Sequence, residues 1–374
     1  MKIVINAQNG IVNNGNSCKI VYIMRKAIQG EKITLGFIGG SITQGCSSSL
    51  PTTCYAYLVY QWWIKTFPKA EFEYVNAGIG GTTSEFASAR VEADLLSKNP
   101  DFVMVEFSVN DENTAHFMET YEGLIRRIIK ADSSPASMIL HNIMYDSGKN
   151  AQEAHMEIGK HYQIPCVSIR EAVYPEILKE KLKAADIAPD NLHPNDLGHE
   201  ILAQVVCAYL EKCYQELESE IMCVDELSQV LAEPITKNRY ESSFRYQNGN
   251  CNPVLNGFVP DLTKQTDIRE IFKNGWYGEA RGASVQFETE ARCIALQYRK
   301  TIQKPAPIAL AILDYDEEHA ILLDANFEED WGDSLALVTI YESERKDAHH
   351  LEIRIIEDHP EDQLPFYLTS VICS

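Results

Sequence analysis

The sequence predicts an α/β protein in two parts. The first is a three-layer, doubly wound domain with a parallel sheet; the second is an antiparallel, jelly-roll-like β-sandwich. Two observations carry this. Up to about Ser219, where the pattern changes, short apolar runs alternate with helical patterns, as βαβ units do when their strands are covered on both faces. Beyond about residue 280 come period-2 runs with no helices between them: SVQFETE, CIALQYR, IALAILD, AILLDAN, LALVTIYE, HLEIRIIE and FYLTSVI. Such runs read as a sandwich. The domains are placed at residues 1–220 and 235–374. A chain of 374 residues, 45% hydrophobic and 23% charged, has ordinary globular composition and is long enough for two domains.

Taken in order, residues 1–16 are polar and rich in Asn and Gly, and are expected to lie over the surface as an arm. Ser17 is positioned to cap a helix that runs to about Gln29 and stops at Gly30. Residues 33–38 are an apolar run closed by Gly39 and Gly40, which reads as a buried strand ending in a tight turn. A buried helix follows over residues 52–67, ending before Pro68, then a short strand over 72–75 leading into NAGIGGTTS. Residues 84–97 read as an amphipathic helix, 101–107 as a third strand entering SVND, and 114–130 as a helix. A strand at 138–143, a helix at 151–162 and a strand at 164–169 precede a last helix over about 195–217, entered through DNLHPNDLGH. Right-handed crossovers then make the layers. Ser41, Gly81 and Asn110 each follow a strand, so they converge on one edge of the sheet, where open α/β sheets place their ligand crevice.

The formal net charge is -21. An acidic surface of that size argues against nucleic acid or an anionic membrane as partner. No stretch is long and apolar enough to span a bilayer. The N-terminus lacks the basic region and apolar core of a signal peptide. Ten cysteines are scattered without any CxxC, which excludes a zinc ribbon or a thioredoxin-type motif and reads as free thiols in a reducing cytoplasm. No metal or cofactor is expected. His141, His155 and His161 show no ligand spacing, His349 and His350 point to opposite faces of a strand, and His199 reads as a packing or helix-orienting residue.

Ester hydrolysis by serine needs a nucleophile, a base, a carboxylate to orient the base, and donors for the oxyanion. Ser41 stands in ITLGFIGGSITQG at the end of a strand. Asp190 and His193 are three apart in DNLHP, with Pro194 holding His193 extended. The carboxylate can accept from one ring nitrogen while the other faces outward. Gly81 offers an N–H with no side chain in the way, and Asn110 offers an amide. With the N–H of Ser41 these make three oxyanion donors. The lone Gly78-x-Gly80-Gly81 lacks the third glycine of a dinucleotide loop, and neither GxxxxGK[ST] nor the nucleophile elbow GxSxG occurs.

GGSIT with Ser41, NAGIGG with Gly81, SVND with Asn110 and DxxHP with Asp190 and His193 resemble, in order and spacing, the four blocks of the SGNH hydrolases, a branch of the GDSL family. Gly40 and Ile42 depart from the eponymous Gly-Asp-Ser-Leu, and in the second block either Gly80 or Gly81 could be the donor, with Gly81, five residues after Asn76 and directly before Thr82, preferred. The resemblance implies a flavodoxin-like sheet and metal-free acyl-ester hydrolysis, with Ser41 attacking, His193 as base then acid, and Asp190 orienting it. The domain order, with NNGN…GFIGGSITQG and QWW…NAGIGGTTS, is similar to that of bacterial carbohydrate acetylesterases, above all those acting on mannan oligosaccharides. The implied partner is an acetylated oligosaccharide, with homo-oligomerisation left open. The second domain is then expected to bind sugar or shape the substrate cleft. Trp276 in NGWYGE and Trp331 in EEDWGDS sit in polar contexts and are candidate sugar platforms, weighed evenly against plugging the end of the sandwich. Two other readings stand beside the acetylesterase: a lysophospholipase or thioesterase using the same site, and a carbohydrate-binding protein with an idle hydrolase domain.

Overall fold

The computed structural model describes residues 5–217 and 231–374; Cys223 and the change of pattern near Ser219 lie outside them. The chain divides into two units, Met1–Asn238 and Arg239–Ser374. The first holds strands β1 (Ile11–Asn13), β2 (Lys32–Gly39), β3 (Glu71–Gly78), β4 (Phe102–Glu106), β5 (Ala136–His141) and β6 (Cys166–Ser168), ordered β1-β6-β5-β4-β2-β3 across one sheet. β2 to β6 are parallel. Their order is that of flavodoxin-like sheets, and the chain reverses direction between β2 and β4, the switch point at which such sheets bind ligands. β4 and β5 are buried along their whole length and β2 along all but its first residue, as parallel strands covered on both faces must be.

The helices are α1 (Cys18–Ile28), α2 (Ser41–Gln44), α3 (Tyr55–Thr66), α4 (Ser84–Asp94), α5 (Ala115–Lys130), α6 (Gln152–His161), the short α7 (Ile169–Ala172), α8 (Tyr174–Leu178) and α9 (Ala184–Ile187), and α10 (Asp196–Glu216). On one face Leu35, Phe37, Met104, Met138 and Val167 of the sheet pack with Met24 of α1, Trp63 of α3 and Val206 of α10. Caps set several starts: Thr114 Oγ1 accepts from the N–H of Phe117, and Asn195 Oδ1 from that of Gly198.

Three local expectations are corrected. Residues 11–13 are not a surface arm but an edge strand, antiparallel to β6. Ser17 stands at the N-cap of α1 but its side chain makes no cap: its hydroxyl donates to Glu216, and it is Asn16 Oδ1 that accepts from the N–H of Cys18. α4 is not amphipathic, because Ser84 to Val91 are all buried. Its Arg90, 1% exposed, donates to the carbonyls of Ala77 at 2.8 Å and Gly39 at 3.3 Å, joining the carboxyl ends of β3 and β2. A buried guanidinium is tolerable only with such partners.

In the second unit the named strands all pair antiparallel. Its strands are β7 (Phe244–Tyr246), β8 (Val254–Asn256), β9 (Val259–Pro260), β10 (Trp276–Gly278), β11 (Ser284–Lys300), β12 (Ile308–Leu313), β13 (Ile321–Asp324), β14 (Ser334–Glu357) and β15 (Phe366–Cys373). Four of the seven period-2 runs merge in pairs: SVQFETE and CIALQYR are both β11, and LALVTIYE and HLEIRIIE are both β14. These two strands pair from Ser284↔Arg354 to Lys300↔Ser334, with bulges between Ala291 and Cys293 and between Ile294 and Ala295. Partners change along them: β8 pairs with β11 at Ser284–Gln286, and β15 pairs with it from Ile294 onward. Bulges bend and twist such ribbons, so both halves close over one core containing Val285, Phe287, Leu296, Ile353 and Leu368.

Candidate active site

Ser41 is the first residue of α2, directly after β2, and is 8% exposed. His193 Nε2 lies 2.9 Å from Ser41 Oγ, and His193 Nδ1 lies 2.6 Å from Asp190 Oδ2. Asp190 Oδ1 also accepts from the N–H groups of Leu192 at 3.0 Å and His193 at 2.7 Å, which closes the loop into a fixed turn. The structure thus brings together the three side chains singled out for acyl transfer, in the order hydroxyl, imidazole, carboxylate. The loop is braced from outside. The N–H of Tyr145 donates to Asn191 O at 2.7 Å, and that of Asn195 to Ile187 O at 2.9 Å.

The electrostatics follow from these contacts. His193 is raised above the ordinary imidazole range: a hydrogen bond with the Cys46 thiol pushes it up, burial opposes, and the Asp190 carboxylate adds to the rise. Burial pulls Asp190 upward, but hydrogen bonds from His193 and Leu192 outweigh it and hold the carboxylate below its usual range. The bond with His193 likewise lowers the Cys46 thiol.

Gly81 and Asn110 sit on the loops after β3 and β4. The N–H of Gly80 donates to Gln44 Oε1 at 2.7 Å, whereas that of Gly81 has no hydrogen-bond partner among the described residues. Gly81 has φ of 68°, left-handed backbone that suits glycine. The Asn110 amide lies against Gly40, where a β-carbon would collide with Asn110 Oδ1. Asn110 Oδ1 is buried without a hydrogen-bond partner among the described residues. The N–H groups of Asn110 and Asp111 both donate to Phe107 O, at 3.0 and 2.9 Å, in a tight turn.

His199 is buried, its Nδ1 accepting from the N–H of Tyr55 at 3.2 Å and its Nε2 lying 3.2 Å from Cys46 O. It joins α10 to α3 and to the loop after α2, and burial lowers its pKa. In the second unit Trp276 is 1% exposed, edge-on to Phe287 in the core. Its polar neighbours in sequence hid a ring that faces inward, so it offers no platform to a sugar. Trp331 is 60% exposed; its indole N–H donates to Glu329 Oε2 at 2.6 Å and its ring meets Phe327 edge-on. Sequence reasoning passed over Gln44, which occupies Gly80, and Cys46 beside His193. It also passed over Asp111, the last residue of SVND. Among the described residues no group of His, Cys, Asp and Glu could hold a metal ion. No helix of the described residues is long and apolar enough to cross a membrane.

Residues 37–201 match the model of the GDSL-like lipase/acylhydrolase family. The chain is 29% identical to acetylxylan esterase of Geobacillus stearothermophilus over 206 residues, 47% of this chain and 91% of that one. It is 26% identical to thioesterase 1/protease 1/lysophospholipase L1 of Escherichia coli strain K12 over 186 residues, 48% of this chain and 83% of that one. The crystal structure of a two-domain esterase active on acetylated mannans, co-crystallised with mannopentaose, superposes with a TM-score of 0.95 at 48% identity, covering 100% of this chain and 98% of that one. A likeness of that depth over the whole length, added to the family match, shows that the chain belongs to the SGNH/GDSL family of serine ester hydrolases.

Proposed function

We propose that the protein removes O-acetyl groups from carbohydrates, with β-mannan-derived oligosaccharides as substrate. The observation that carries this reading is the full-length likeness to an esterase active on acetylated mannans. The contacts of Ser41, His193 and Asp190 supply the mechanism. Ser41 Oγ attacks the acetyl carbonyl carbon as His193 Nε2 takes its proton, with Asp190 orienting the ring and stabilising the imidazolium. The oxyanion is held by the N–H groups of Ser41 and Gly81 and by the Asn110 amide. Collapse expels the sugar hydroxyl, which receives the proton from His193. Water, deprotonated by His193, then cleaves the acetyl-enzyme and releases acetate.

In this reading the second unit is a carbohydrate-binding module, and Trp331 is the aromatic on which a sugar ring stacks. Cysteines scattered along the chain without any CxxC suit a reducing compartment, and we place the enzyme in the cytoplasm. The test is acetate release from acetylated mannan, xylan and chitin oligosaccharides, with Ser41→Ala as control. Release from mannan oligosaccharides above the others supports the proposal. Equal release from all three would keep the chemistry and discard the substrate, and faster hydrolysis of long-chain acyl esters would favour the thioesterase or lysophospholipase reading. No Ser41-dependent release from any ester would discard both.

A further inference from the structure

Asp111 has a buried carboxylate that the chemistry above does not use, and it reaches both segments to which the oxyanion donors belong. Its side chain is fully buried, as is that of its partner His155. Its Oδ1 accepts from the N–H of Ser84 at 2.9 Å, and its Oδ2 lies 3.1 Å from His155 Nε2. Ser84 is the first residue of α4, and Thr83 before it offers that helix no side-chain cap. A helix leaves its first N–H groups unsatisfied and carries positive potential there. Asp111 supplies the missing acceptor from a different loop.

Ser84 lies three residues after Gly81. Between them, Thr82 Oγ donates to Ile79 O at 2.6 Å and closes the turn that contains Gly80 and Gly81. On the other side, Asp111 is the direct neighbour of Asn110, and both N–H groups of that pair converge on Phe107 O. The two side chains diverge: Asn110 lies against Gly40, while Asp111 meets Ser84 and His155. His155 is held in turn. It is one turn into α6 and stacks on Tyr121 of α5 with ring centroids 3.6 Å apart. The start of α6 is tied to the same loop, since the N–H of Ala151 donates to Ser108 O at 2.7 Å. The loop after β4 is therefore gripped at Ser108 and at Asp111, on either side of Asn110.

We propose that the buried Asp111–His155 pair is a positioning device that sets the Asn110 amide and the Gly81 N–H at the separation an oxyanion requires. This rests on the reading of Asn110 and Gly81 as oxyanion donors. Asp111 touches no reacting atom; it acts through Asn110 and through α4.

The test is a mutant cycle on 4-nitrophenyl acetate in the full chain, with Ser41→Ala as the separate check on the serine mechanism itself. Asp111→Ala is expected to lower kcat by about 10- to 100-fold with KM changed less than about threefold, since the donors matter most to the transition state. Asp111→Asn keeps an acceptor for Ser84 and is expected to retain more than about a third of wild-type kcat. In an Asn110→Ala background, Asp111→Ala is expected to cost less than about threefold more, because the group it positions is gone. Where Asp111→Ala fails to fold, His155→Leu against His155→Gln, which keeps a donor for Asp111, reads the same cycle. Full multiplication of the Asn110→Ala and Asp111→Ala (or His155→Leu) effects, or a kcat of Asp111→Ala (or His155→Leu) within about threefold of wild type, would overturn the proposal. Loss of activity in the Asp111 variants while Ser41→Ala stays active would instead overturn the serine mechanism.

Discussion

His193 and His155 each meet an aspartate through a ring nitrogen, at 2.6 Å and 3.1 Å. Asp190 is half exposed and sits three residues from its histidine on one loop, whereas Asp111 is sealed and reaches its histidine 44 positions along the chain. The same two side-chain types thus serve opposite ends. A pair at the edge of the sheet leaves the second ring nitrogen free to meet Ser41, and proton exchange with water can reset it. A pair inside the fold has no route to substrate; what it can do is hold two loops in register.

The largest effect that separates the two pairs is on the rate. His193→Ala is expected to lower kcat/KM on 4-nitrophenyl acetate by roughly 10⁴-fold or more, as loss of the base does. His155→Leu should lose no more than about 100-fold, the range of a displaced oxyanion donor. Steady-state kinetics on purified, folded variants decide this, and equal losses would erase the distinction between acting and positioning. Next in size is Asn110→Ala, expected to reduce kcat by about 10²- to 10³-fold while a fluorophosphonate still labels Ser41, though more slowly. A loss below tenfold would remove Asn110 from the donor set.

The exposed pair was legible in the sequence and the buried one was not, for a physical reason. Asp190 and His193 are joined by a short loop, so their spacing alone constrains their contact, and Ser41, Gly81 and Asn110 follow strands whose parallel order brings their ends together. Asp111 and His155 belong to different elements, β4's loop and α6, and nothing local to either announces the other. The same holds for β1, whose three residues form a strand only because β6 offers an edge. The long strands β11 and β14 were read as four because their middles, TEAR within β11 and SERKDA within β14, are polar or charged and mimic turns. Trp276 could only be weighed evenly from the sequence, because polar neighbours say nothing about which way a ring points; the structure buries it.

Buried carboxyl groups can be compared in the same way. Asp111 has two partners for its two oxygens, but Glu106, fully buried at the end of β4, has one: Ser108 Oγ donates to Oε1 at 3.3 Å, and Oε2 is without a partner among the described residues. Burial raises Glu106 to about 8. The folded chain therefore keeps this proton at pH values where the unfolded chain has released it. Stability should fall as pH rises from the unfolded carboxyl's range near 4.5 toward 8, then level off. Glu106→Gln removes this dependence and should gain on the order of 3 kcal/mol relative to wild type between pH 5 and 8.5, read from denaturant midpoints. Parallel curves for the two proteins would mean that Glu106 ionises in the fold as it does in water.

The smallest effect concerns how the exposed pair is tuned. A protonated His193 cannot take the proton of Ser41, so the rate should rise with pH through a midpoint above the ordinary imidazole value. The Cys46 thiol is the first cause of that upward shift and Asp190 the second. Cys46→Ala should therefore move the acid limb of the kcat/KM profile to lower pH, by less than about one unit, and leave the plateau within about twofold. Asp190→Asn should move the limb the same way while also collapsing the plateau, because it removes orientation as well as charge. If Cys46→Ala leaves the limb in place, the carboxylate alone sets the basicity of His193, and the thiol beside it is a packing residue.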